Sequence, residues 1–296
     1  MTGSNLFLLF LAALFSSSLY IILKYFEKWR VDNLHGLTVN YLTACLLSFF
    51  VDHNYNISIL HTLPGLLPSG LFIGMLFIVV FQIAALTAQK AGVAITSIAG
   101  KMSMVIPIIA GILLYGDKIT TQRVLGMALA IVALVLSSFK SNKADSQKAN
   151  HGNLTWLLPL LLFIGSGMVD TSIKWSQHHH MNGQNNGFYF SLLFGSAGII
   201  GFGWSTWRRI TQAKRIDRQS ILAGLLLGTL NYFSLLFLVM VLESPGIESS
   251  LAFALSNVMV VLISTTFAIL LFKEKLTRVN IAGLILAVSS ILILTR

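Results

Sequence analysis

Charge is scarce in this chain. Of 296 residues, 10% are charged, where soluble domains carry roughly 25%. Hydrophobic residues make up 55%, and the mean hydropathy is +0.81. A soluble protein of this length could not hide so much apolar surface, so the bilayer must be its solvent. There is one cysteine, Cys45, inside an apolar run. An intrachain disulfide is therefore excluded, and the thiol reads as a small buried residue. No nucleophile–base pair in motif, phosphate loop, ATP-binding motif or metal triplet is present, which argues against an enzyme or an ATP-driven pump. No cofactor is called for. The net charge of +10 would suit nucleic acid, but the basic residues lie between apolar runs, where a positive-inside bias puts them, so nucleic-acid binding is set aside.

Ten apolar segments of membrane-spanning length are present: 5–23, 34–51, 68–88, 93–115, 121–139, 154–174, 187–206, 220–242, 247–272 and 277–295. Each is predicted as a helix, because backbone groups in lipid must pair within the segment and a barrel would show short alternating stretches. The run after Met1–Asn5 has no basic region before it and reads as the first span rather than a signal peptide.

The second half repeats the first. Lys24-Tyr25 matches Lys174-Trp175 at a shift of 150; Gly70, Gly74 and Gly92 match Gly224, Gly228 and Gly246 at 154; Asp117-Lys118-Ile119-Thr120 matches Glu274-Lys275-Leu276-Thr277, and Gly126 matches Gly283, at 157. Residues 1–139 form one copy, 140–153 a polar linker and 154–296 the other. Five helices is an odd number, so the second copy enters from the opposite face. The expectation is an all-α integral membrane protein of ten transmembrane helices in two inverted five-helix repeats, a construction that places substrate between the copies. Fifteen of the 20 Lys and Arg fall in the connections after segments one, three, five, seven and nine. That predicts those loops to be cytoplasmic and both termini outside, in the cytoplasmic membrane. Trp29, Trp156, Trp175, Trp204 and Trp207 lie near segment ends as interfacial anchors.

Several polar residues fall inside spans. Lys101 lies about eight residues into the fourth segment, roughly 12 Å from its start. An ionised side chain there is costly unless it meets a wet cavity or a partner. Ser97 shares its face, and Pro107 is placed to kink the helix. Lys101 reads either as a cation snorkelling to the interface or as the holder of an anionic substrate group such as a carboxylate. Asp170 stands on one face with Gly167 and Lys174, matched in the first copy by Ser17, Tyr20 and Lys24. Asp170 and Lys174 either neutralise each other or make Asp170 a proton-coupling or amine-binding carboxylate. Asn40, Tyr41, Gln82, Asn231, Ser234, Ser249, Ser256 and Asn257 are the weaker polar candidates; Asn231, Ser256 and Asn257 join the binding or coupling set with Lys101, Asp170, Lys174, Tyr20, Lys24 and Ser97. Glu243 and Glu248 read as interfacial. Gly70/Gly74, Gly224/Gly228, Gly126/Ala130 and Gly283/Ala287 read as close helix packing, with a dimer interface as the second reading. His178-His179-His180, in a polar stretch without acid or cysteine, does not make a metal site.

Two stretches carry a family resemblance: Tyr115-Gly116-Asp117-Lys118-Ile119-Thr120 and Phe272-Lys273-Glu274-Lys275-Leu276-Thr277, followed by Gly126 and Gly283. With the five-plus-five pattern and Pro107 in the fourth segment, the chain resembles the drug/metabolite transporter superfamily in its EamA-like branch. It departs from the pattern at Asp117, where Glu is usual, at Lys273, where Gly is usual, and at Val261, near the second copy's Pro position. The resemblance implies helices around a central cavity, lined by segments one, three, four, six, eight and nine, with five and ten peripheral. The resulting expectation is a secondary transporter for a small polar or zwitterionic metabolite such as an amino acid, working by alternating access, with a proton or ion as coupling partner and a monomer or homodimer as its state. The other reading is a flippase for a lipid-linked intermediate or a non-transporting membrane subunit.

Overall fold

The structure is a computed structural model that describes residues 3–51, 59–116, 119–138, 156–180, 186–212, 217–242, 244 and 249–294. Asp117, Lys118, Glu243, Glu248 and the polar linker lie outside these residues, as do the side chains of His178 and His180. The described residues form eleven helices and no strand: α1 (Gly3–Lys28), α2 (Asn33–Val51), α3 (Ile59–Lys90), α4 (Val93–Met102), α5 (Val105–Tyr115), α6 (Thr121–Ser138), α7 (Leu157–His180), α8 (Asn186–Gln212), α9 (Arg218–Leu242), α10 (Ser249–Phe272) and α11 (Arg278–Leu294). Nine apolar stretches among them reach spanning length, α4 and α5 counting together, and α11 is a shorter apolar helix. The chain is a multi-span all-helical membrane protein.

Eleven helices rather than ten arise from one break. The fourth segment stops at Met102 and restarts at Val105. Pro107 is the cause: it lacks the N–H that would bond the Ser103 carbonyl, and its ring crowds that carbonyl. Ile106 N–H takes the Ser103 carbonyl instead, 2.9 Å away, and the Ser103 hydroxyl donates to the Gly100 carbonyl at 2.6 Å. The expected kink thus shows as a local tightening of the ladder at Ser103 and Met104, both of which keep right-handed helical dihedrals. A second difference is at His178-His179-His180, which continues α7 rather than forming a loop. His179 stacks on Trp175 one turn earlier, ring centroids 4.5 Å apart, and its Nδ1 lies 2.9 Å from the Trp175 carbonyl.

The chain divides into two compact units, each drawing on both halves of the sequence. The first holds Met1–Lys24, Ile83–Gly167 and Ser234–Arg296; the second holds Tyr25–Gln82 and Met168–Phe233. Lipid offers helices little hydrophobic reason to associate, so small residues and polar contacts must bring them together. In the first unit α6 and α11 lie side by side. A Cβ on Gly126 would stand 2.6 Å from Leu294, and one on Gly283 2.7 Å from the Ser137 nitrogen. The Ser290 hydroxyl donates to the Gly126 carbonyl (2.8 Å), and Asn280 Nδ2 donates to the Ser137 carbonyl (2.8 Å). These small residues are used within the chain. Their helices' other faces, with Leu125, Ile131, Val135, Ile281 and Ile285, are exposed and apolar, as a lipid-facing surface is.

In the second unit two glycine pairs do the same work. Gly70 and Gly74 of α3 meet Leu192 and Ser196 of α8; Gly224 and Gly228 of α9 meet the backbone of α2 at Gly36 and Asn40. The close-packing reading of all these glycines is therefore what the fold uses.

Candidate functional site

The first unit gathers Tyr20, Lys24, Ser97, Lys101, Ser256 and Asn257; the second holds Asp170, Lys174 and Asn231. Lys101 occupies the last turn of α4 and is half-buried. Ile98, Met102 and Val105, on the flank next to Lys101, pack into a core with Ala130 and Ala133 of α6, Ala254 and Val261 of α10, and Ala287, Ile291 and Leu294 of α11. That apolar face fixes which way α4 is turned. Tyr20 of α1 brings its hydroxyl onto the helix at Gly100, so close that a Cβ there would stand 2.8 Å from the oxygen. Gly100 is thus the seat of the Tyr20 hydroxyl, and the next residue is Lys101. Ser97 is buried and donates to the Ala94 carbonyl at 2.9 Å. On α10, Ser256 is buried and Asn257 half-buried.

Lys24 has a definite structural role. Its Nζ donates to the Gln89 carbonyl at 2.6 Å, in the last turn of α3, where a cation meets the negative end of the helix dipole. Gln89 answers by donating Nε2 to the Leu23 carbonyl (3.1 Å). Its partner by repeat, Lys174, is exposed on α7, as is Asp170.

The Lys-Glu and Asp-Lys turns have a physical meaning that sequence reading did not reach. Gly116 closes α5 in the left-handed region (φ 68°), and Lys273, its counterpart 157 positions on, closes α10 in the same conformation (φ 53°). Thr277 and Asn280 then make a reciprocal cap for α11: Asn280 N–H donates to Thr277 Oγ1 (3.1 Å), and Thr277 N–H to Asn280 Oδ1 (3.1 Å). Thr120 caps α6 in the same way, accepting from Arg123 N–H at 3.3 Å. Between them stands Glu274. Its carboxylate accepts the Val93 N–H at 2.8 Å and the Ala94 N–H at 3.4 Å, capping the start of α4. The signal that could have found it is Gly92, whose φ of 108° and crowding by Glu274, 2.8 Å from an ideal Cβ, leave room for no side chain.

At the start of α2, in the second unit, Asp32 accepts both guanidinium nitrogens of Arg208 at 3.1 Å and the N–H groups of Leu34 and His35. Burial pushes its pKa up, but Arg208, with smaller contributions from His35, holds it below the ordinary carboxylate range. Asp32 N–H also donates to Ser220 at the start of α9 (3.2 Å). The connection after α1 is thereby tied to the connection between α8 and α9. In the first unit, Lys24 with Gln89 and Glu274 with Val93 tie the connections after α1, α3 and α10. Apart from the linker between the halves, these are the loops the basic residues marked as one side.

Comparison with known proteins supplies the rest. Residues 3–139 match the model of the EamA-like transporter family. An uncharacterized protein of Haemophilus influenzae is 25% identical over 295 residues, covering 96% of this chain and 95% of its own length. A solved crystal structure of another protein superposes with a TM-score of 0.60 at 10% identity, over 99% of this chain and 96% of that one, a likeness of fold alone.

Proposed function

From the match of residues 3–139 to the EamA-like transporter family, we propose that this chain is a membrane transporter of the drug/metabolite type that carries a small metabolite with a carboxylate group, an α-amino acid being the class to test first. The proposed mechanism is alternating access across the cytoplasmic membrane, with the basic loops inside. The observation that carries this reading is the position of Lys101. A half-buried ammonium stands inside a span, on the last turn of a helix that ends beside it, with the Tyr20 hydroxyl seated one residue away. On insertion scales a central Lys costs about 2.5–3.5 kcal/mol. A carboxylate of the cargo would add a charge-assisted contact to this ammonium. Tyr20, Ser97, Ser256 and Asn257 supply neutral hydrogen-bonding groups in the same unit. Asp170 is proposed as the coupling or amine-binding acid, with Lys174 one turn away.

Counterflow into proteoliposomes loaded in turn with the 20 proteinogenic L-amino acids tests the cargo class. Movement of at least one by the purified chain, with a strongly raised KM but measurable transport in Lys101→Met, is the expected result. A folded Lys101→Met protein transporting at the normal rate removes Lys101 from the mechanism. Unchanged pH dependence in Asp170→Asn would count against coupling through that acid.

A further inference from the structure

We propose that Glu274 is a positioning residue for Lys101: it sets where α4 lies along its own axis, and so where the ammonium stands. The proposal rests on the reading of Lys101 as the group that holds the cargo's anion.

Helix α4 is ten residues long, about 15 Å. Past Met102 the ladder shifts, Ile106 N–H taking the Ser103 carbonyl, while Ser103 and Met104 keep helical dihedrals. The buried residues Ile98 and Met102 of α4 share a core with Ala130, Ala133, Ala254, Val261, Ala287, Ile291 and Leu294. Apolar packing of this kind is non-directional. The directional, charged contact on α4 is at its start. The Glu274 carboxylate holds two N–H groups of the first turn, a charge-assisted contact at the positive end of the helix dipole. Two further features serve the same contact. Gly92 has no side chain where the carboxylate lies. Lys273 takes a left-handed conformation, uncommon for a residue with a Cβ, and Glu274 N–H closes on the Ala268 carbonyl at 3.1 Å, fixing the turn from which Glu274 reaches out. Lys101 is eight residues from Val93, about 12 Å along the axis; a shift of the start is delivered to it undiminished if α4 moves as a rod.

The test is a double-mutant cycle on the full chain in proteoliposomes, with the amino acid found above as probe. Glu274→Ala should raise KM about tenfold, the scale of one charge-assisted hydrogen bond, with Glu274→Gln between it and wild type. In a Lys101→Met background Glu274→Ala should add less than about twofold, since residues acting through one another are not additive. Losses that multiply overturn the proposal and leave the Lys101 reading standing. Normal transport by Lys101→Met alone overturns both. Hydrogen exchange on the purified chain gives a readout independent of cargo. Glu274→Ala should speed exchange across 93–102, whereas a change confined to 93–96, or none, shows that α4 is not held through its start and sinks the proposal.

Discussion

Two helix contacts in the second unit answer each other across the repeat, and they are filled differently. Helix α3 meets α8, and α9 meets α2. Both approaches are made by glycines: a Cβ on Gly74 would stand 2.7 Å from the Ala197 nitrogen, and one on Gly228 2.7 Å from the Thr43 Cβ. Ala197 and Thr43 are themselves 154 positions apart, like the glycines. One turn along the glycine helix comes the difference. On α3 and α8 the pair is Phe77 and Phe194, stacked with centroids 6.0 Å apart and covered by Tyr41. At the same shift, on α9 and α2, the pair is Asn231 and Asn40, bonded Nδ2 to Oδ1 at 3.3 Å. Asn40 is fully buried, and its own Nδ2 has no hydrogen-bond partner among the described residues. Backbone closeness is therefore the common requirement, and the filling is free to be dry aromatic or polar amide. The aromatic pair shows that this packing does not need amides.

The largest way to break this comparison is to remove the closeness itself. Gly74→Leu and Gly228→Leu should each prevent folding, read as loss of the monodisperse peak after detergent extraction; a well-folded Gly228→Leu protein would show that α9 does not need to touch α2. Next comes the filling. Phe77→Ala, at a half-buried ring, should cost about 2–3 kcal/mol, below the range for a fully buried Phe truncation, seen as a fall in the thermal midpoint. Asn40→Leu alone should cost about 1–3 kcal/mol, because Asn231 loses its acceptor, whereas Asn40→Leu with Asn231→Leu should be nearly neutral. A double variant worse than the single one would mean that the amides do more than bond each other. The comparison sharpens further at the two left-handed turns. Lys273→Gly, which restores what Gly116 has in the other copy, should stabilise by about 1 kcal/mol, the rough penalty for a Cβ in that conformation. The smallest effect is at Asp32. Its carboxyl is held below the ordinary range in the folded chain, so its contribution is fully present above about pH 4, the unfolded value. It is lost as pH falls through the folded pKa. The thermal midpoint of Asp32→Asn should therefore lie below wild type at pH 7, and the gap should close as pH falls below about 4.

Much of this architecture was legible in the residues. Apolar length announced the helices, because lipid leaves a backbone no other way to pair its groups. Small residues at matching shifts announced the close contacts; within the first unit Lys24–Gln89 and Glu274–Val93 join neighbouring connections, and within the second Asp32–Arg208 does. Lys101 was legible as an unexpected charge. Its setting was not. That Pro107 would tighten the ladder at Ser103 and Met104 depended on Ser103 and Ile106 offering the carbonyls there other donors. That Lys24 would cap α3 depended on where α3 stops.

What the sequence by itself determined is the solvent and the helices, with a family resemblance that the match over residues 3–139 supports. These follow from composition and from periodic placement of small and charged residues, properties that each segment carries alone. Only the tertiary structure decided that Glu274 caps a helix 181 residues away in the chain, that Tyr20 sits on Gly100, and that one repeat contact is aromatic and the other amide. A hydrogen bond or a close approach belongs to two segments at once. Neither partner's neighbours record it, so it has no local signature until the helices are packed.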